Sequence, residues 1–129
     1  MAEFLRVSSR KTFQLGEFDC GLFVADWCAE VRGIDPAAEI RGRYDTLEQA
    51  LALTGTRTLP AMFDRLLRGA GLTRTRHLAY GDIAVIRIAN GPPRGAIVTK
   101  GFVVVGEIGL SRVPLADARV VCSWSVFNA

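Results

Sequence analysis

The sequence predicts an α+β fold in which N-terminal helices pack on one side of a small antiparallel sheet. Two observations predict it. Residues from about 12 to 70 carry helical periodicity bounded by capping residues, and residues from about 80 to 127 carry short apolar runs and alternation broken by glycine and proline. No repeat or low-complexity linker divides the chain, so residues 1–129 are expected to form a single domain.

The first helix expected starts at Asp19. In DCGLFVADWCAEVRG, residues Cys20, Phe23, Val24, Trp27, Cys28 and Val31 recur as one apolar stripe. Asp19 suits the N-cap and Gly33 the left-handed C-cap. Ile34 to Ala38 reads as a turn leading into a further helical turn. Thr46-Leu47-Glu48-Gln49 has the capping-box form, and its helix is expected to end at Gly55. Thr58 then caps a helix with Pro60 in its first turn and Leu59, Met62, Phe63, Leu66 and Leu67 on one face.

Beyond Gly81-Asp82 the pattern turns to strands. Ile83 to Ile88 is a nearly continuous apolar run, Asn90 to Pro93 a turn, and Ala96 to Thr99 and Phe102 to Val105 short strands parted by Lys100-Gly101. Arg119 to Phe127 alternates, with Val120, Cys122, Trp124 and Val126 on one face.

Composition narrows the function classes. A chain of 129 residues buries about two thirds of its unfolded surface without disulfides. Half of it is hydrophobic, yet no apolar run approaches the roughly 18 residues that suggest a membrane span. The opening MAEFLRVSSRK lacks the apolar core of a signal peptide, so synthesis in a cytoplasm is expected. Of three cysteines, Cys20 and Cys28 lie two helical turns apart and cannot bridge, so free thiols are expected. The net charge of +3 comes from 14 arginines and two lysines. They are scattered and not interleaved with aromatics, which predicts no nucleic-acid partner and suits protein docking instead.

The chemistry concentrates at Asp19-Cys20. A helix N-terminus carries partial positive charge and unpaired N–H groups, so a cysteine there is expected to lose its proton more easily than a free one. Cys20 is therefore the candidate nucleophile. His77, the single histidine, is the one imidazole that could serve as its base, and only if its loop folds back over the helix start. Among most core cysteines, by contrast, the thiol is inert packing. Cys20, Cys28, Cys122 and His77 offer no CxxC pair and no zinc-knuckle spacing, so no metal and no cofactor is expected. Asp26 is expected to face solvent or to pair with an arginine, and Asp82 to close a strand-entry turn.

These residues carry a resemblance. A helix opening with Asp-Cys, a few helices, and then a Gly-Asp entering an antiparallel sheet resembles NlpC-type, papain-like cysteine peptidases. The ordered set Phe13-x-x-Gly16-x-x-Asp19-Cys20, Phe23-Val24-Ala25-Asp26, Gly33-x-Asp35-Pro36, Arg41-Gly42-x-Tyr44, Gly81-Asp82 and Trp124 is similar to a branch of small proteins encoded in phage tail and gene-transfer-agent clusters. It spans roughly residues 10 to 126. In the catalytic members, the resemblance implies a histidine at the start of the second core strand, paired with the cysteine. The matching stretch here is Arg94-Gly95-Ala96-Ile97-Val98, without a histidine.

Two functions of different classes follow from the resemblance. One is a structural component of a phage or phage-like tail tip or baseplate hub, in the virion and made in the bacterial host cytoplasm, with other tail-tip and baseplate proteins as partners and catalysis lost. The other is an active endopeptidase or amidase that cleaves a peptidoglycan peptide during genome delivery. In the second, Cys20 attacks the peptide carbonyl, amides at its helix start hold the oxyanion, and His77 or a water is the base. A cytoplasmic assembly factor is a third class that the residues leave open.

Overall fold

In a computed structural model of the chain, which describes residues 1–127, four helices precede and cover a six-stranded antiparallel sheet. Helix α1 spans Ala2–Ser8, α2 Cys20–Arg32, α3 Leu47–Thr54 and α4 Leu59–Gly69. The strands are β1 Thr73–Arg74, β2 Ile83–Ile88, β3 Arg94–Val98, β4 Phe102–Gly106, β5 Gly109–Val113 and β6 Ala118–Ser125, with a 3-10 turn at Leu115–Asp117. Their order across the sheet is β1-β6-β2-β3-β4-β5, so the last strand returns to lie between the first two.

Capping chemistry sets the helix ends where the sequence places them. The Asp19 carboxylate accepts from the Leu22 amide, and Gly33 ends α2 in the left-handed conformation at φ 74°. Thr46 and Thr58 accept from the amides of Gln49 and Ala61. Each such cap stabilises its helix by about 1 kcal/mol. The reciprocal half of the capping box differs from expectation, because the Gln49 side chain accepts from the amide of Asp45 and not that of Thr46.

Helix α2 is the centre of the structure. Leu22 and Ala25 are buried as fully as the expected stripe of Phe23, Val24, Trp27 and Cys28, because α2 packs on β3 while the Ile40–Tyr44 segment and α4 close over its other side. The core between helices and sheet includes Ile83, Val85, Ile97, Val103, Val105 and Trp124. The sheet's opposite face carries no helix among the described residues. It instead holds a second buried cluster of Ala84, Ile86, Ala96, Val98, Phe102, Val104 and Val113.

Burial on both faces removes the simple alternation expected of the last strand. Ser123 and Ser125 are buried alongside Cys122 and Trp124. A β-bulge shifts the register so that Val85 opposes Cys122 while the next residue, Ile86, opposes Val120. Val120 and Val121 are therefore both exposed. Strand β3 starts at Arg94, directly after Pro93, two residues earlier than its apolar run begins. No helix among the described residues is long and apolar enough to cross a membrane.

Candidate functional site

The loop before α2 and the turn after it build one end of the site together. Gly16 has φ 85°, a backbone conformation that favours glycine, and a Cβ there would collide with the Tyr44 carbonyl. The Gly42 amide donates to the Gly16 carbonyl at 2.8 Å. These contacts bring the Tyr44 hydroxyl to the Asp19 carboxylate. Asp19, 4% exposed, thus accepts from Leu22 N at 2.8 Å, from Gly16 N at 3.0 Å and from Tyr44. Three donors make a buried carboxylate tolerable where an unpaired one would not be. Burial, and next the hydrogen bond to the Asp19 carboxylate, raise the Tyr44 phenol above its ordinary range, so Tyr44 stays a neutral donor.

A second polar cluster fixes the same turn to α2. Arg41 reaches Asp26 at 2.7 Å and Asp35 at 2.6 Å, and Lys11 closes on Asp26 at 3.2 Å. Partial burial works to raise the Asp35 carboxyl, but the hydrogen bonds from Arg41 and the Ala37 amide outweigh it and hold the group below its usual value. Asp26 is therefore paired with an arginine. One residue further along α2, the Trp27 indole donates to the Gly81 carbonyl at 2.8 Å, and Asp82 closes the strand-entry turn by accepting from the Ala79 amide at 2.9 Å. The motif residues Gly16, Asp19, Asp26, Asp35, Arg41, Tyr44 and Gly81 all hold α2 in place.

Cys20 lies at the start of α2, half-buried, in a cavity of about 400 Å³. Phe13, Leu15, Tyr44, Leu47, Leu59 and Met62 line its helical side, and Pro92, Pro93, Arg94 and the Val105–Glu107 segment its sheet side. Arg94 also donates to the Val105 carbonyl at 2.9 Å, which fixes it at the cavity. A larger cleft of about 570 Å³, between residues 34–40 and the α3–α4 pair, contains no cysteine. The Cys20 cavity is the candidate site because it joins a thiol, a guanidinium and apolar walls.

The thiol itself departs from expectation. Burial pushes Cys20 above the ordinary cysteine value and the Asp19 charge adds to that, against opposing help from the Gly95 amide and Arg94. Desolvation of the thiolate thus works against the lowering expected from the helix end. Cys28 is pushed up to about 11 and Cys122 is also raised, in both cases first by burial.

Gly95 faces the helical layer, two residues from Ile97 on the same side of β3. It stands against the Cys20 backbone. A Cβ on Gly95 would lie 2.5 Å from the Phe63 ring and 3.0 Å from the Cys20 carbonyl oxygen. Phe63, 3% exposed, therefore occupies the space that any side chain at this position would need.

His77 lies elsewhere. It is exposed in the loop between β1 and β2, where its amide and carbonyl both bond the Thr75 hydroxyl at 3.2 Å. This loop runs on to Gly81, which meets α2 at Trp27, about 10 Å of helix axis beyond Cys20. His77 is not among the residues lining the Cys20 cavity. Among the described residues, no group of three or more His, Cys, Asp and Glu side chains is placed to hold a metal.

Sequence reasoning places Asp19, Cys20 and the Arg94–Val98 stretch at the site but misses Phe63. Phe63 gave only a core-face signal. The Val105–Glu107 segment comes from a part of the chain distant from Cys20, and nothing local to it announces the cavity. Tyr44 was visible as a motif residue, while its bond to Asp19 was not. No curated protein and no solved structure matches the chain significantly. The model of the family described as Domain of unknown function (DUF6950) matches residues 1–126, and the chain belongs to that family.

Proposed function

We propose that this protein is a structural component of a phage or phage-like tail tip or baseplate hub, built on a papain-like NlpC-type fold from which the hydrolytic dyad has been lost. The ordered motif from Gly16 to Trp124 supports the fold and the setting, and every part of it that surrounds α2 has a structural role that needs no catalysis. One observation carries the loss of hydrolysis: the strand position facing Cys20 is Gly95, and Phe63 fills the space beside it. A thiol raised by burial and lacking an imidazole has neither the charge nor the proton relay that amide hydrolysis requires. Its neighbours in this setting are other tail-tip and baseplate proteins.

Mass spectrometry of purified particles, combined with digestion of purified peptidoglycan, tests this reading. The protein is expected in the particle at a fixed stoichiometry, and wild type and Cys20→Ala are expected to release no muropeptides. The competing reading is a peptidoglycan endopeptidase acting at genome delivery, favoured by the position of Cys20 at a helix start inside an open cavity. Cys20→Ala particles that assemble normally but infect poorly would support that reading, and absence of the protein from particles would point to an assembly factor.

A further inference from the structure

Strand β6 has one edge that is almost entirely open. On one side it pairs with β2 along its length, and on the other β1 pairs only with Trp124 and Ser125. The Thr75 amide adds one bond to the Ser123 carbonyl before the chain leaves the sheet. From Ala118 to Cys122 no strand among the described residues covers the outer edge. An uncovered edge presents backbone donors and acceptors ready to pair with another extended chain.

The side chains along this edge are not those of a solvated one. Val120 and Val121 are 37% and 42% exposed, and Leu115, just before the strand, is 54% exposed. Arg119 stands directly opposite Arg87 across the β2–β6 ladder, so two guanidinium groups share one face of the sheet. Like charges placed in this way destabilise a ladder. Arg76, exposed, stands where β1 leaves the same edge. Arg76 and Arg119 form no ion pair among the described residues, in contrast to Arg41, Arg68 and Arg74, while the Arg87 guanidinium donates to the Gly91 carbonyl at 3.1 Å.

We propose that the open edge of β6 binds an extended acidic segment of a partner protein, which adds to the sheet as a further strand with carboxylates facing Arg76 and Arg119. Charge complementarity selects this occupant. A second copy of the chain would bring its own arginines to the edge and add to the net charge of +3, so self-pairing is disfavoured. A nucleic acid would satisfy the arginines but leave the strand edge and the two valines unused. This surface is separate from the Cys20 cavity, and its occupancy does not depend on the role of that cavity.

The test is an NMR titration of the whole protein with the heptapeptide Glu-Val-Glu-Val-Glu-Val-Glu. Saturable shifts of the Ala118 to Cys122 amides are expected, with binding at least ten-fold weaker for Arg119→Glu and for Arg76→Glu, two exposed positions whose change leaves the fold intact. The same peptide N-methylated at alternate residues should lose binding, because it cannot complete the ladder. Equal binding of the N-methylated peptide, shifts elsewhere or none, or stronger binding of a single-stranded oligonucleotide of equal charge would each overturn the proposal.

Discussion

Phe63 and Gly95 exclude one another's alternatives: the ring of Phe63 comes so close to Gly95 that a Cβ there would lie 2.5 Å from it. The contact joins α4 to β3 directly beside the Cys20 backbone. A histidine at this position would require the ring to move, so recovering a dyad takes at least two coordinated changes.

Replacing Gly95 by alanine should overpack this contact. Overpacking of a close-fitted core costs about 1–3 kcal/mol, and Gly95→Ala is expected to lose stability within that range in urea denaturation. In a Phe63→Leu background the loss should be smaller, because the two positions share one space.

Tyr44→Phe removes one of the three donors to the buried Asp19 carboxylate while leaving the ring in place. A hydrogen bond to a charged group contributes about 1.5–3 kcal/mol, and the variant is expected to lose about that much stability at neutral pH. A loss under 0.5 kcal/mol, roughly that of an ordinary surface change, would mean that water replaces the hydroxyl at Asp19.

Asp82 should make stability fall as pH rises through the carboxylate range. It is 2% exposed, its Oδ1 has no hydrogen-bond partner, and burial raises its carboxyl above the ordinary value despite the Ala79 and Val126 amides. Both states hold the proton at low pH. As pH rises past the unfolded value, the unfolded chain ionises first and stability is lost until the folded carboxyl ionises too. The stability of wild type minus that of Asp82→Asn, measured across this range, should therefore decrease with pH.

The parts legible in the sequence are those governed by local chemistry. Asp19, Thr46 and Thr58 mark helix starts because each bonds an amide three residues away. The strands from Ile83 to Val105 announce themselves as apolar runs. Helix α1 escaped notice because it is short and Met1 supplies no side-chain cap. Strand β5, Gly-Leu-Ser-Arg-Val, has a weak alternation, and β1 has two residues that are a strand only because β6 lies beside them. At the site, Cys20 was visible, but its environment depends on contacts from Tyr44, Phe63 and Arg94 that are distant in sequence. Burial by those distant segments works against the helix-end lowering expected of Cys20.

The central claim is that Cys20 is a half-buried thiol without an imidazole partner and not half of a catalytic pair. Its alkylation by iodoacetamide as a function of pH, followed by mass spectrometry of the modified peptide, tests this most directly. The account predicts a titration midpoint above that of a free cysteine and a rate at neutral pH below that of a free thiol. A midpoint below the free value, with Cys20 consumed faster than an exposed thiol, would contradict it.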